Sequence, residues 1–300
     1  MAEHFVKPPN WEWYILGYFF LAGLAGGSYA IAAILRLWGS PRDGAIARIG
    51  FLIAFPLVIV CPILLTLDLG QPGRFFHMLV STTPGQSGLM FKYWSPMSVG
   101  SWALLIFGFF AFISFLEALA LEQRPQAPGG TAPVSVLSGG FGRAFTFVGL
   151  LLGLFIASYT GVLLSVSNQP IWSDTWTLGG LFLASALSGS AALLSWLARR
   201  RRDTESTERN LQEADGYFAL LELVLIVIFF ITLAATGTIG RALAGPWLLI
   251  WVLVLASLIP PLLSLAGRGG RAASTAAVVP VIVLIGVLLM RFVVIFSAQM

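Results

Sequence analysis

The sequence predicts an all-α integral membrane protein with about eight transmembrane helices. Of its 300 residues, 58% are hydrophobic and only 10% are charged, whereas soluble domains carry roughly a quarter charged residues. The mean hydropathy is +0.89. Apolar runs of about twenty residues, enough to cross roughly 30 Å of hydrocarbon, recur from one end to the other. They leave no room for a separate soluble domain, so any catalytic or electron-carrying domain must belong to another protein.

Charged residues, prolines and glycines mark the ends of the apolar runs and thereby set the limits of the helices. The eight predicted helices span 13–38, 45–68, 96–121, 142–166, 177–198, 214–237, 246–266 and 273–298. The tail before the first helix lacks the basic region and the small-residue cleavage site of a signal peptide. We therefore expect the first helix to remain in the mature protein.

Basic residues are distributed unevenly between the two sides of the predicted membrane domain. The connections after the first, third, fifth and seventh helices, with their flanks, hold most of them: Arg36, Arg42, Arg48, Arg124, Arg143, the run Arg199–Arg202, Arg209, Arg268 and Arg271. The opposite side holds Lys7, Arg74, Lys92 and Arg241. Cytoplasmic loops carry the excess of Lys and Arg. The arginine-rich side is therefore predicted to be cytoplasmic, which places both termini and the 69–95 connection outside.

A weak internal similarity links two segments that each open a set of four helices. Leu21–Leu35 reads LAGLAGGSYAIAAIL and Leu183–Leu197 reads LASALSGSAALLSWL. An offset of four crossings preserves orientation, so the similarity is compatible with two four-helix bundles related as a parallel repeat. Small-residue patterns also recur in unrelated membrane helices because they allow close packing. Both interpretations remain open at this stage.

Cysteine and histidine usage excludes several kinds of redox centre. The single Cys61 lies inside an apolar run, so the protein can build neither a disulfide framework nor a thiolate-ligated iron–sulfur cluster. The two histidines, His4 and His77, lie in a tail and a loop, which argues against a haem held between two helices and against a metal site. The basic charge sits in short loops and indicates membrane topology rather than nucleic-acid binding.

The predicted helix directions gather polar and aromatic residues at the outer side. The members come from the outer ends of helices one, two and four and from the loop after helix two: Trp11, Trp13, Tyr14, Tyr18, Asp68, Gln71, Arg74, His77, Lys92, Tyr93, Trp94 and Tyr159. Hydrogen-bond donors, a carboxylate, an imidazole and aromatic walls suit an apolar ring with two carbonyls that gains and loses protons. A quinone head group fits this description.

Three motifs resemble the NrfD, or polysulfide reductase membrane-subunit, family of quinone-interacting anchors. They are GLAGGSYAIA at 23–32, DLGQPGRFFHML at 68–79, and YTGVLLS at 159–165 followed by Pro170 and Trp172. The resemblance extends over nearly the whole sequence. It implies two four-helix bundles, residues 1–166 and 167–300, with a site for menaquinone or ubiquinone near the outer face of the first. It also implies a bacterial or archaeal cytoplasmic membrane protein with a ferredoxin-like iron–sulfur subunit docked outside. A molybdopterin-type catalytic subunit is the expected third partner.

The same resemblance assigns roles to individual residues. Tyr159 is similar to the family tyrosine that hydrogen-bonds one quinone oxygen, and Asp68 to the acidic residue that closes the second helix. Tyr18 stands roughly where the best-known member has a histidine, and Ile15 stands at the place of a polar quinone contact. The partner of the second quinone oxygen is therefore left open. We expect Asp68 and His77 to handle protons.

Each candidate residue also has a structural interpretation. Tyr159 and Trp13 are compatible with an aromatic belt at the membrane interface. Asp68 is compatible with a solvated helix end, although a charge beside the hydrocarbon is costly. His77 is compatible with packing against a partner subunit. Arg74 is expected to anchor its loop or orient Asp68, because a guanidinium does not lose its proton.

Three further ionisable residues lie within predicted helices. Glu117 and Glu222 are expected nearer the inner face, where they either form a proton half-channel or extend to the cytoplasmic surface. Arg291 is expected nearer the outer end of the last helix, so we do not expect it to pair with Glu222.

Two rival functions remain compatible with the sequence. A secondary transporter is expected to show broken helices at matching positions in its two halves. Pro56 and Pro62 in the second predicted helix have no evident counterparts in the sixth. A passive anchor would tether a redox partner without binding quinone.

Overall fold

The computed structural model describes residues 9–82, 87–123, 137, 139–201, 204–265 and 273–299. Eight spans among them are long and apolar enough to cross a membrane. The helices are α1 (Trp13–Trp38), α2 (Gly44–Asp68), α3 (Pro96–Gln123), α4 (Gly139–Ser165), α5 (Leu178–Ala198), α6 (Glu205–Thr236), α7 (Ile239–Ala242), α8 (Pro246–Ser257), α9 (Ile259–Leu265) and α10 (Ala273–Ser297). The predicted all-α membrane fold is confirmed.

Two short connections complete the described elements. A 3₁₀ turn at Pro41–Asp43 joins α1 to α2. Beyond α2, a 3₁₀ helix at Pro72–Met78 leads into a small antiparallel ribbon of β1 (Val80–Ser81) and β2 (Gly88–Leu89). This connection lies at the face opposite the arginine-rich loops.

The predicted helix limits agree with the structure to within a few residues except in α6. That helix begins at Glu205, nine residues before the predicted start at 214. The residues in between are polar, which is typical of a loop, but their side chains have partners in the protein. Glu208 pairs with Arg199 at 2.6 Å, and Thr207 donates a hydrogen bond to Asp43 at 2.6 Å. These contacts stabilise a helical extension that is no longer apolar.

Prolines affect two of the spans differently. The second span, α2, stays helical through Pro56 and Pro62. The seventh span is interrupted at Leu258, between α8 and α9, directly before Pro260 and Pro261. Proline lacks an N–H and clashes with the preceding turn, which explains the interruption. The third span, at the corresponding position in the first half, is continuous.

The protein packs with α1 and α5 at its centre. The first four helices contact one another, and α5, α6, α8, α9 and α10 form a second set of contacts. Both α1 and α5 also contact the other set, and these two are the most buried of the eight spans. The division into bundles at residues 1–166 and 167–300 remains a prediction, because α1 packs on α5 as well as on α4.

Small residues allow the central helices to approach closely. A Cβ atom on Gly26 would lie 2.4 Å from the carbonyl oxygen of Gly153 on α4. A Cβ atom on Gly27 would lie 2.4 Å from Ser190 Oγ on α5. The two similar segments of the sequence therefore meet face to face at the centre of the protein. Close packing is a sufficient explanation for these glycines.

We expect Gly26→Ala to destabilise the protein by about 1–3 kcal/mol, the usual cost of overpacking. The added methyl group meets backbone, which cannot rotate away. Gly108→Ala in α3 is the matched control, because nothing lies within 4 Å of its Cβ position. The control gains helix propensity without a clash. Thermal unfolding of both variants in detergent measures the difference; equal stability would show that α1 and α4 separate at little cost.

Candidate functional site

Two buried tyrosines lie near the ends of α1 and α4 at the face opposite the arginine-rich loops. Tyr18 is in the second turn of α1, and Tyr159 is two turns from the end of α4. Both side chains are buried. They are close enough to influence each other electrostatically, and Tyr18 also lies near Cys61 of α2. The structure therefore brings together three helices of the first half at this point.

The Tyr159 ring is held by contacts on two sides. Its hydroxyl group donates a hydrogen bond to the carbonyl oxygen of Pro96 at 2.6 Å. Its ring stacks on Phe155, with centroids 5.6 Å apart and an interplanar angle of 25°. Gly100 of α3 makes room for the ring, because a Cβ atom there would lie 2.1 Å from the tyrosine oxygen. The position of the hydroxyl group is thus determined by α3 as well as α4.

The Tyr18 side chain has apolar surroundings. Its ring meets that of Phe19 edge-on at 5.5 Å. Ile15, one turn earlier on α1, is also buried. Within the described part of the protein, the Tyr18 hydroxyl group makes no hydrogen bond. This hydroxyl group is therefore available to a ligand.

The two hydroxyl groups have complementary hydrogen-bonding capacities. A phenolic oxygen donates one hydrogen bond and accepts others through its lone pairs. Since Tyr159 donates to Pro96, its lone pairs remain to accept a hydrogen bond from a ligand hydroxyl group. Tyr18 keeps its own proton to donate. Together with apolar walls, this arrangement suits a ring that carries two oxygens.

Asp68 is the last residue of α2 and is half-buried at the same face. Glu12, which precedes α1, is its electrostatic neighbour. Arg74 is exposed in the 3₁₀ helix. No ion pair joins Arg74 to Asp68 among the residues that the structure describes. The expected orientation of Asp68 by Arg74 is not seen.

His77 belongs to the same connection and is half-buried. Its Nε2 atom lies 3.0 Å from Thr82 Oγ1, and its ring packs on Phe76 at 4.3 Å. The loop thus fixes the imidazole by its own residues. No hydrogen bond links it to Asp68 in the described ranges.

Trp13 lies apart from the two tyrosines. It is 68% exposed and stacks on Phe292 of α10, with ring centroids 5.6 Å apart. Five residues separate it from Tyr18, which turns its side chain to another face of α1. The interfacial interpretation of Trp13 agrees with this position. Tyr93 and Trp94 of the loop are also largely exposed.

Charged residues of the first half meet at the arginine-rich face. Arg36 forms a salt bridge with Glu117, which also accepts a hydrogen bond from the backbone N–H of Leu137 at 3.0 Å. A cavity of about 390 Å³ opens here, lined in part by Arg36, Arg48 and Glu117. Glu117 is paired, and it lies in a different half from Glu222. The two glutamates therefore do not form one half-channel.

The prediction that Glu222 and Arg291 do not pair was wrong. Both are buried, and each acts electrostatically on the other. The long Arg291 side chain leans toward the start of α10, where it donates to the carbonyl oxygen of Val287 at 3.2 Å. Side chains in helices point toward the N-terminus, so the guanidinium group lies deeper in the membrane than its Cα position indicates.

Sequence reasoning missed several residues that shape the tyrosine site. Gly100, Pro96 and Phe155 carry no chemical signal, and their roles depend on contacts between helices. Among the described residues, no group of three or more His, Cys, Asp or Glu side chains is arranged to hold a metal ion.

The fold and the site together define a multi-pass helical membrane protein with a buried tyrosine pair near one face. A family model described as "Polysulphide reductase, NrfD" matches residues 3–300. The protein therefore belongs to the NrfD polysulphide reductase family. This confirms the resemblance found in the three sequence motifs.

Curated relatives match along nearly the whole sequence. The C-type polypeptide of the polysulfide reductase of Wolinella succinogenes is 30% identical over 310 residues, which cover 96% of the present sequence and 94% of that protein. Protein NrfD of Escherichia coli is 28% identical, with 97% and 95% covered. A selenate reductase subunit of Mesobacillus selenatarsenatis is 21% identical, with 96% and 74% covered.

Proposed function

We propose that the protein is the quinone- or quinol-binding membrane subunit of a multi-subunit oxidoreductase. It exchanges electrons between the membrane quinone pool and an iron–sulfur subunit outside the cytoplasm. The observation that carries this proposal is the buried pair of Tyr18 and Tyr159, with one free hydroxyl donor and one free pair of acceptor sites. Membership of the NrfD family and relatives named as parts of reductases support it.

The site chemistry fits a quinol in particular. A quinol releases two electrons and two protons when it becomes a quinone. Tyr159 accepts a hydrogen bond from one quinol hydroxyl group while its own proton stays on Pro96. To bind a quinone carbonyl, Tyr159 must turn its proton away from Pro96. Tyr18 is the partner for the second oxygen, where the sequence left the assignment open.

Asp68 and His77 are the groups that would carry protons between this site and water. Asp68 ends α2 at the face where the tyrosines lie, and it is half-buried. A half-buried carboxylate beside the hydrocarbon is a functional candidate. His77 lies in the connection that follows and titrates near neutral pH when unperturbed. The electrons pass to the partner, which supplies the redox centres.

The partner surface is formed by the connection after α2. Its exposed apolar side chains are Phe75, Phe76, Met78, Leu89, Phe91, Tyr93 and Trp94. Exposed patches of this kind are typical of protein interfaces. A ferredoxin-like iron–sulfur subunit would dock here, and a molybdopterin-type subunit would hold the catalytic centre. The excess of arginine at the opposite face supports a bacterial or archaeal cytoplasmic membrane protein with both termini outside.

A transporter is less well supported than this function. Transporter sites use broken helices at matching positions in two repeats. Among the described spans, the interruption at Leu258 has no counterpart in α3, which is continuous. A passive anchor would not need a buried pair of hydroxyl groups with free hydrogen-bonding capacity.

We expect Asp68→Asn to slow quinol turnover by roughly 10- to 100-fold, the usual contribution of a proton-transferring group, while binding of a quinone analogue is kept. Turnover and saturable analogue binding are both measured on the purified complex. Glu12→Gln is the matched control, because Glu12 is the acidic neighbour of Asp68 but is exposed before α1. If the wild-type complex binds no quinone analogue, the proposed function is wrong.

A further inference from the structure

Three ionisable side chains are buried in the second half of the protein, away from the tyrosine pair. Asp215 and Glu222 lie on α6, and Arg291 lies on α10. Ionisable groups within transmembrane segments are costly and therefore indicate functional sites. None of the three has a part in the quinone site proposed above. The cluster needs an explanation of its own.

The two carboxyl groups lie on one face of α6. Seven residues separate them, which is about two turns, or about 10 Å along the helix axis. Ala219 lies on the same face between them, and its small side chain is buried. Asp215 accepts a hydrogen bond from Ser188 Oγ at 2.6 Å. Glu222, only 1% exposed, has one carboxyl oxygen without a hydrogen-bond partner in the described part of the protein.

Arg291 supplies the positive charge of the cluster. Its fully buried guanidinium group donates hydrogen bonds to Ser185 Oγ at 3.0 Å and to the carbonyl oxygen of Phe182 at 3.2 Å. It also acts electrostatically on Glu222. No carboxylate of the described residues lies within 4.0 Å of it. Its charge is therefore balanced over a distance, by the carboxyl groups of α6.

The charges of the cluster do not cancel when all three groups are ionised. Two carboxylates and one guanidinium group leave one negative charge, and an uncompensated buried charge is costly. Asp215 and Arg291 are the charged groups that act on Glu222. The helices α5 and α9, which also pack against α6, contain no charged residue, and α7 carries Arg241 beyond the far end of α6. The cluster becomes neutral when its two carboxyl groups hold one proton between them.

We propose that Asp215, Glu222 and Arg291 form a proton-binding site that holds one proton, shared by the two carboxyl groups and loaded from the arginine-rich side. Asp215 is nearer that side, since α6 begins there, and Glu222 lies two turns deeper. A proton from water bonds to the carboxylate of Asp215 and then passes to Glu222, which leaves Asp215 ionised. Two turns exceed a direct transfer, so water or side-chain rotation beside Ala219 carries it.

The site also touches the helix that holds Tyr18. Arg291 Nε donates to the carbonyl oxygen of Phe19 at 3.3 Å, on the residue next to Tyr18. A change in the protonation of Glu222 alters the field at this point of α1. The link to quinone turnover rests on the proposed function, whereas the proton-binding site itself does not.

Infrared spectroscopy of the complete purified complex tests the shared proton without any quinone. At mildly alkaline pH exposed carboxyl groups are ionised, so a protonated buried one is recognised by its C=O stretching band. We expect Glu222→Gln and Asp215→Asn each to abolish this band, because Arg291 then balances the remaining carboxylate. Glu213→Gln is the matched control on the same helix, where the side chain is exposed; it should leave the band unchanged.

Arg291→Gln should have the opposite effect and increase the band about twofold, because both carboxyl groups then need a proton to stay neutral. If that variant does not assemble, the result for Asp215→Asn still decides. A band that survives in Asp215→Asn, or the absence of any band in the wild type, would overturn the shared proton. In oriented vesicles the band should follow the pH of the compartment facing the arginine-rich loops; a response to the other compartment would overturn the direction of loading.

Discussion

Replacement of Tyr159 by phenylalanine should reduce quinol turnover by roughly 10- to 100-fold, equivalent to about 1.5–3 kcal/mol of lost transition-state stabilisation. Phenylalanine keeps the stacking on Phe155 and the fit against Gly100. It removes the hydroxyl group that donates to Pro96 and accepts from the ligand. The ligand oxygen then has no partner in an apolar site. Steady-state turnover of the purified complex with a quinol measures the loss.

A structural effect must be separated from the effect on the site. Tyr29→Phe is the matched control, because Tyr29 is also a buried tyrosine of the first half and its hydroxyl group lies 3.0 Å from Ser114 Oγ. Both variants should lose about 1 kcal/mol of stability through one buried hydrogen bond. Only Tyr159→Phe should lose turnover. Equal turnover in the two variants would remove Tyr159 from the site.

The membrane spans could be predicted because one physical quantity sets their length. The thickness of the hydrocarbon layer requires about twenty apolar residues in each helix, and charged residues mark where each run ends. The first predicted helix, 13–38, has the limits that the structure shows. The rule fails for α6, where a polar segment continues the helix by pairing Glu208 with Arg199. Tertiary contacts outside the membrane replaced the apolar signal.

The candidate site could be predicted only as far as depth along each helix allows. Helix direction correctly placed Tyr18 and Tyr159 at the same level, but it gives no information about rotation around the helix axis. Trp13 has a similar depth and faces α10 instead. Gly100 was missed because its role is to leave space for a ring on another helix. Side-chain reach moved the Arg291 guanidinium group away from its expected depth.

The largest loss of stability is expected from Arg36→Met, which removes the partner of a buried carboxylate. Glu117 is only 4% exposed, and after the change it keeps the backbone N–H of Leu137 but loses the opposite charge. Breaking a buried ion pair on one side costs about 3–5 kcal/mol. Arg36 itself is 23% exposed, so solvent screens part of the interaction. We therefore expect about 2–3 kcal/mol, measured by thermal unfolding in detergent.

A double-mutant cycle distinguishes the lost charge balance from lost packing. Glu117→Gln added to Arg36→Met should recover much of the stability, because no unpaired charge then remains. Arg48→Met is the matched control at the same face. Its partner Glu122 is 25% exposed and keeps Arg201 at 2.9 Å, so this change should cost less than about 1 kcal/mol. If both arginine variants lose the same stability, the burial of Glu117 does not set the cost. Electrostatics at the arginine-rich face would then resemble those of an ordinary protein surface.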